Sequence, residues 1–239
     1  MATQSTPCRL RLTAASVVAL SPVFLTVLMV VLLTTDATRW ETMKLSRENS
    51  LFELVTAGLM LAGGAFGLAL AWRARAQREA RWVWGFFLAF SLGMLWVGME
   101  EIAWGQKLFG FATPEAIEAI NLQGELTMHN LPWLQDRSDV MWGMFALGGL
   151  LGIGVGRWRG LERIATPAVL APWFLMILFI SVPLTWKDLT GAENKVLTVL
   201  GRMDEFNEMQ IAMASCLYLW LCARRLACGE SGGDKDTAY

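Results

Sequence analysis

Six long apolar runs constrain the fold of this chain more than any other feature of its sequence. They cover roughly residues 14–35, 51–72, 82–99, 139–156, 167–186 and 205–223. About 20 apolar residues in a helix cross the hydrocarbon core of a bilayer. Charged residues make up only 17% of the chain, whereas soluble domains carry about 25%. The sequence therefore predicts an all-α integral membrane bundle of about six transmembrane helices, formed by a single domain over residues 1–228.

Basic residues are distributed unevenly among the segments that join these runs. They concentrate near the N-terminus and at 73–81, 157–163 and 224–225. Cytoplasmic loops carry an excess of Lys and Arg, so the pattern predicts that both termini are cytoplasmic and that the alternate segments face outwards. The stretch 229–239 is rich in Gly, Ser and Asp, which predicts a disordered cytoplasmic tail.

Several classes of function are disfavoured by composition. A net charge of −1 offers no basic surface for nucleic acid. The four cysteines, at positions 8, 216, 222 and 228, lie outside the segments predicted to face outwards and form no CxxC pair. Neither a disulfide framework nor a thiolate zinc site is therefore predicted. The sequence also contains no GxSxG motif and only one histidine.

Polar side chains concentrate between the third and fourth apolar runs, at 98–131. This stretch contains Glu100, Glu101, Gln106, Asn121, Gln123, Glu125, His129 and Asn130. It is predicted to form an outer re-entrant or interfacial loop. Thr113, Pro114 and Glu115 predict the start of a short helix that ends near Ile120, with Thr113 as its cap.

The positions of the carboxylates relative to the basic ends of the runs predict a common layer. Counting about 20 residues from those ends places several acidic groups near the outer boundary of the bilayer. These groups are Glu53, Glu101, Asp139, Asp188, Glu205 and Glu208. Carboxylates inside a membrane are costly and usually face a cavity or a partner. The simpler interpretation is that they reach water or pair with Lys107, Lys187 and Arg202, and this suits Glu118, Glu193 and Asp204 as ordinary surface groups.

These residues make up a candidate site. The residues predicted to be catalytic are Glu100, Glu101, Glu125, His129 and Glu208. Those predicted to support them are Glu53, Trp104, Gln106, Asn121, Gln123, Asn130 and Glu205. Glu125 and His129 are four residues apart and would share one face of a helix. A divalent metal, bound by Glu101, His129 and Glu208, is a minority hypothesis. The alternative for His129 and the loop amides is a structural role within the loop.

Four short motifs resemble a known family. They are EEIAWGQ at 100–106, FGFATPE at 109–115, NLQGE at 121–125 and HNL at 129–131. The chain resembles a family of uncharacterised bacterial multi-pass inner-membrane proteins with an EEISWGQ, TPE, NxQGE and HN signature. Glu48 and Glu53 also resemble the family's acidic start of the second span. Ala103 stands where the family has serine, which argues against a nucleophile there. The resemblance implies a site in the bacterial inner membrane and no particular reaction.

Three classes of function fit this pattern. The leading hypothesis is an enzyme whose carboxylates and histidine act at the outer membrane face on a lipid or lipid-linked substrate. The second is a non-catalytic subunit or assembly factor whose outer loop docks a membrane protein. The third is a proton- or cation-coupled transporter, which is disfavoured because the sequence has no clear inverted repeat and no charge near the bilayer middle.

Overall fold

The computed structural model describes residues 12–46, 51–122, 124–128, 131–135, 137–156, 158 and 160–231. Helices account for all of the regular secondary structure in these ranges. They are α1 (Leu12–Thr34), α2 (Asp36–Leu45), α3 (Leu51–Ala76), α4 (Arg81–Glu101), α5 (Gln106–Phe109), α6 (Glu115–Glu118), α7 (Pro132–Gln135), α8 (Ser138–Val155), α9 (Ala171–Thr190), α10 (Lys195–Leu200) and α11 (Asp204–Ser231), with 3₁₀ turns at Ala103–Gly105 and Ala168–Leu170. The prediction of an all-α fold is confirmed.

Six of these helices are long and apolar enough to cross a membrane, namely α1, α3, α4, α8, α9 and α11. The chain is therefore a multi-pass membrane protein. Two spans continue past their predicted ends, α3 to Ala76 and α9 to Thr190. Arg73, Arg75 and Lys187 lie in their last turns, where positive charge stabilises the end of a helix.

The last helix is also longer than its apolar run. It continues to Ser231, because the residues after position 223 are mostly good helix formers. The predicted disordered tail is thus helical over 229–231, and its remainder lies outside the described residues. Cys228, near the end of this helix, is disulfide-bonded, whereas Cys216 and Cys222 are free. The sequence did not predict this bond.

Five of the six spanning helices pack in a row in which α4 contacts α3, α3 contacts α11, α11 contacts α9, and α9 contacts α8, while the sixth, α1, packs against α9. Glycines allow two of these contacts to be close. A Cβ atom on Gly67 would lie 2.1 Å from Oγ of Ser91, and one on Gly149 would lie 2.3 Å from the ring of Phe174. Gly148, beside Gly149 in the sequence, faces open space. Small residues therefore bring selected helix faces together, as is usual in membrane bundles.

The two ends of this row, α4 and α8, do not pack extensively against each other in the described part of the chain. They are joined instead by residues 102–137, which we call the connecting segment. Both helices carry exposed apolar side chains. The side chain of Trp96 on α4 is 49% exposed, and that of Met141 on α8 is 52% exposed. We call the space between these two helices, both of which line the cavity described below, the lateral gap.

Candidate functional site

A cavity of about 870 Å³ lies among α3, α4, α8, α9, α11 and the connecting segment. Among the described residues, its lining contains one lysine, Lys187, and nine carboxylates. The nine are Glu53, Glu100, Glu101, Glu125, Asp139, Asp188, Asp204, Glu205 and Glu208. The groups that the sequence placed in one layer thus surround a single space, which we call the carboxylate cavity.

The carboxylate cavity also has an apolar wall. Trp96 and Val97 of α4 contribute to it from one side of the lateral gap, and Met141, Trp142 and Phe145 of α8 contribute from the other. Because the exposed Trp96 and Met141 both line the cavity and border the gap, the cavity extends towards the lipid-facing side of the bundle. An amphiphilic molecule could place its apolar part in the gap and its polar part among the carboxylates.

Three carboxylates form the tightest group. One oxygen each from Glu101, Glu205 and Glu208 lies within 4.8 Å of the other two. Glu101 is the last residue of α4, whereas Glu205 and Glu208 lie one turn apart at the start of α11, where the helix dipole favours negative charge. Two unit charges 4.8 Å apart repel by about 3.5 kcal/mol at an effective dielectric constant of 20. This group therefore needs a shared proton or a cation to be stable when charged.

The carboxylates around Glu208 extend beyond these three. Glu101, Glu205, Asp204 and Glu53 all act electrostatically on it. Glu208 belongs to α11, whereas Glu53 belongs to α3 and Glu101 to α4. Convergence of three helices on one carboxyl group distinguishes this arrangement from a set of separately solvated surface groups.

Lys187 of α9 defines a second part of the cavity. It attracts Asp139 and Asp204 electrostatically, but no salt bridge joins it to either aspartate in the described part of the chain. The sequence treated Asp204 as an ordinary surface group. The residue is exposed, as expected, and it also lines the carboxylate cavity from the first turn of α11.

Thr56 is a lining residue that sequence reasoning missed. Its side chain is fully buried, it lines the carboxylate cavity, and its Oγ1 has no hydrogen-bond partner in the described structure. Ser91 and Ser181, in comparison, donate to the carbonyl four residues earlier in their own helices. The available signal was spacing, because Thr56 follows Glu53 by three residues and so shares its helix face.

Glu100 has a different environment from its neighbour Glu101. It is 5% exposed. One carboxyl oxygen accepts a hydrogen bond from Nε1 of Trp104 at 2.7 Å, and the other accepts from the backbone N–H of Met128 at 2.5 Å. These bonds attach both ends of the polar stretch to the end of α4. We therefore interpret Glu100 as a positioning residue, although it also lines the cavity.

The amides of the connecting segment hold its shape. Gln106 donates to Oγ1 of Thr113 at 2.5 Å and accepts from the N–H of Leu126 at 2.8 Å. Asn121 donates to the carbonyl of Thr127 at 2.7 Å. Thr113 donates to the carbonyl of Gly124, so its predicted role as a helix cap was wrong. The hydroxyl is used for a contact across the segment, and α6 starts after Pro114 without a side-chain cap.

The turn after Glu101 has an unusual backbone. Ala103, Trp104 and Gly105 have φ values of 46°, 54° and 85°, a region that favours glycine. Ala103 is fully buried, which explains a small side chain there. The Trp104 ring lies edge-on to Trp96, with centroids 4.8 Å apart. This turn ends α4 and begins the connecting segment.

Of the remaining predicted site residues, Glu125 lines the cavity, and the other three lie outside the described residues. Glu125 lines the cavity in a non-helical stretch, so the argument that it shares a helix face with His129 was wrong. Gly124, with a φ of 66°, interrupts any helix there. His129, Gln123 and Asn130 lie outside the described residues, and their roles stay predictions.

The chain was compared with known protein families, curated proteins and solved structures. No protein-family model, no curated protein and no solved structure matches the chain.

Proposed function

We propose that this protein is a membrane enzyme that acts on a lipid or lipid-linked substrate in the carboxylate cavity. The observation that carries the proposal is the combination of nine carboxylates with an apolar wall beside the gap between α4 and α8. Polar chemistry and access from the lipid are thereby available in one space.

Glu101 and Glu208 are the proposed acid and base. Two carboxylates that share a proton can donate it at one step and accept it at another. Their oxygens are close together, with those of Glu205 beside them. Glu125 contributes a further carboxylate, and His129 is retained in the proposal as a proton carrier.

Substrate access is proposed to occur through the lateral gap. Trp96 and Met141 would contact the apolar chain of the substrate, because both are exposed beside the gap and line the cavity. The polar group of the same molecule would then reach Glu101 and Glu208 without leaving the bilayer boundary.

The chemical test compares lipid extracts from cells that contain the protein with extracts from cells that lack its gene. We expect the deletion to change the amount of at least one lipid or lipid-linked species by severalfold, through accumulation of substrate and loss of product. Reintroduction of the wild-type gene restores the profile. Identical lipid profiles with and without the gene would contradict the proposed activity.

We also propose a bacterial inner-membrane location with both termini in the cytoplasm. The motif resemblance and the basic residues at alternate ends of the spans support this orientation. An impermeant thiol reagent added from outside is expected to label Glu118→Cys and to miss Gln77→Cys. Labelling at position 77 alone would reverse the orientation.

A docking subunit is the second candidate. The connecting segment exposes Leu108, Phe109, Ile120 and Leu122 at 58% or more, and an exposed apolar patch is typical of an interaction surface. If docking is the function, Phe109→Ser abolishes it while Glu208→Gln has no effect. The enzyme proposal gives the opposite result for Glu208→Gln.

A further inference from the structure

We propose that Glu101, Glu205 and Glu208 bind a divalent cation in the carboxylate cavity. This inference identifies a cofactor for the site described above, and its chemical role rests on the proposed function. With the ion bound, Glu101 and Glu208 would be its ligands in place of sharing a proton, and Glu125 would remain the cavity carboxylate available as acid or base. The binding itself depends only on these three side chains and their surroundings.

The spacing of the three ligand atoms suits one ion. Oxygen ligands lie about 2.1 Å from Mg²⁺ and about 2.4 Å from Ca²⁺, so two ligands of one ion are separated by at most roughly 4.2–4.8 Å. The oxygens of Glu101, Glu205 and Glu208 fall within 4.8 Å of one another. A single cation can thus contact all three with small side-chain adjustments.

A second, independent observation comes from Thr56. Thr56 lines the same cavity, and its Oγ1 is fully buried and has no hydrogen-bond partner in the described structure. Buried hydroxyl groups in native proteins nearly always have a hydrogen-bond partner or bind water or an ion. A hydrated cation supplies such a partner, because its water ligands donate hydrogen bonds to nearby oxygens.

The chemistry of the ligands indicates the type of ion. The cluster in the described residues is formed by carboxylate oxygens alone, and carboxylates with water favour Mg²⁺, Mn²⁺ or Ca²⁺ over softer metals. This differs from the sequence-based hypothesis, in which His129 supplied a nitrogen ligand. When bound, the ion would offset part of the negative charge of the carboxylates that line the cavity.

The test measures Mn²⁺ binding to the purified full-length protein in detergent after treatment with a chelator. Electron paramagnetic resonance reports the free Mn²⁺ that remains. We expect saturation at one ion per chain and competition by Mg²⁺ or Ca²⁺. Glu205→Gln and Glu208→Gln are expected to weaken binding by about tenfold or more. Thr56→Val, which preserves the volume of the side chain, is expected to weaken it by about tenfold through the lost outer contact.

Glu193→Gln is the matched control, because Glu193 is exposed and does not line the carboxylate cavity. It should bind Mn²⁺ as the wild type does. A wild-type protein that takes up no Mn²⁺, or cavity variants that bind as tightly as Glu193→Gln, would overturn the cation site. If the wild-type protein binds no Mn²⁺ but deletion of the gene changes the lipid profile, the cation site is wrong and the enzyme proposal is still supported. Mn²⁺ binding with an unchanged lipid profile supports the cation site and contradicts the enzyme.

Discussion

Glu100→Ala is expected to destabilise the protein by about 3 kcal/mol and to loosen the connecting segment, because each hydrogen bond to a charged group contributes roughly 1.5 kcal/mol or more. Glu100 accepts two such bonds, from Trp104 and Met128, and is almost fully buried. Removing its carboxyl group leaves both donors without their partner. The melting temperature in detergent and the rate of proteolysis within the segment report the effect.

Glu118→Ala serves as the control for this change. Glu118 belongs to the same segment but is exposed, and exposed substitutions usually alter stability by less than about 0.5 kcal/mol. Equal melting temperatures and equal rates of proteolysis for the two variants would show that Glu100 does not hold the segment. The positioning role assigned to it would then be wrong.

The sequence predicted the six spans because a bilayer imposes its own length on a helix. Roughly 20 apolar residues are needed whatever the packing partners are, so hydropathy alone placed α1, α3, α4, α8, α9 and α11. The same length argument brought Glu53, Glu101 and Glu208 to one level, and all three line the carboxylate cavity.

The division of roles between Glu100 and Glu101 could not be predicted. Successive residues on a helix point in directions about 100° apart, and the sequence does not specify which neighbour each direction meets. Glu100 faces the connecting segment, and Glu101 approaches α11. The gap between α4 and α8 depends in the same way on which helices are adjacent.

The hydrogen bonds within the connecting segment could not be predicted from the sequence either. Gln106 bonds to Leu126, twenty residues away, and Thr113 bonds to Gly124. Local patterns predicted a helix cap at Thr113 because a threonine before proline often has that role. A tertiary contact replaced the local one, and only the folded chain reveals it.

Glu101→Gln and Glu208→Gln are expected to abolish function while leaving a folded, membrane-inserted protein. Glutamine keeps the shape of glutamate and removes the negative charge. The repulsion of about 3.5 kcal/mol for each charged pair is then relieved, so stability should hold or rise. The ability to act as a base, or to bind a cation through a charged oxygen, is lost.

Complementation of a strain that lacks the gene, at matched amounts of folded protein, tests the central claim most directly. The claim is that the carboxylate cavity carries the function. Glu193→Gln, outside the cavity, is expected to complement as the wild type does, whereas Glu101→Gln and Glu208→Gln are expected to fail with melting temperatures equal to or above that of the wild type. Full complementation by both cavity variants would contradict the claim and favour a docking role for the connecting segment.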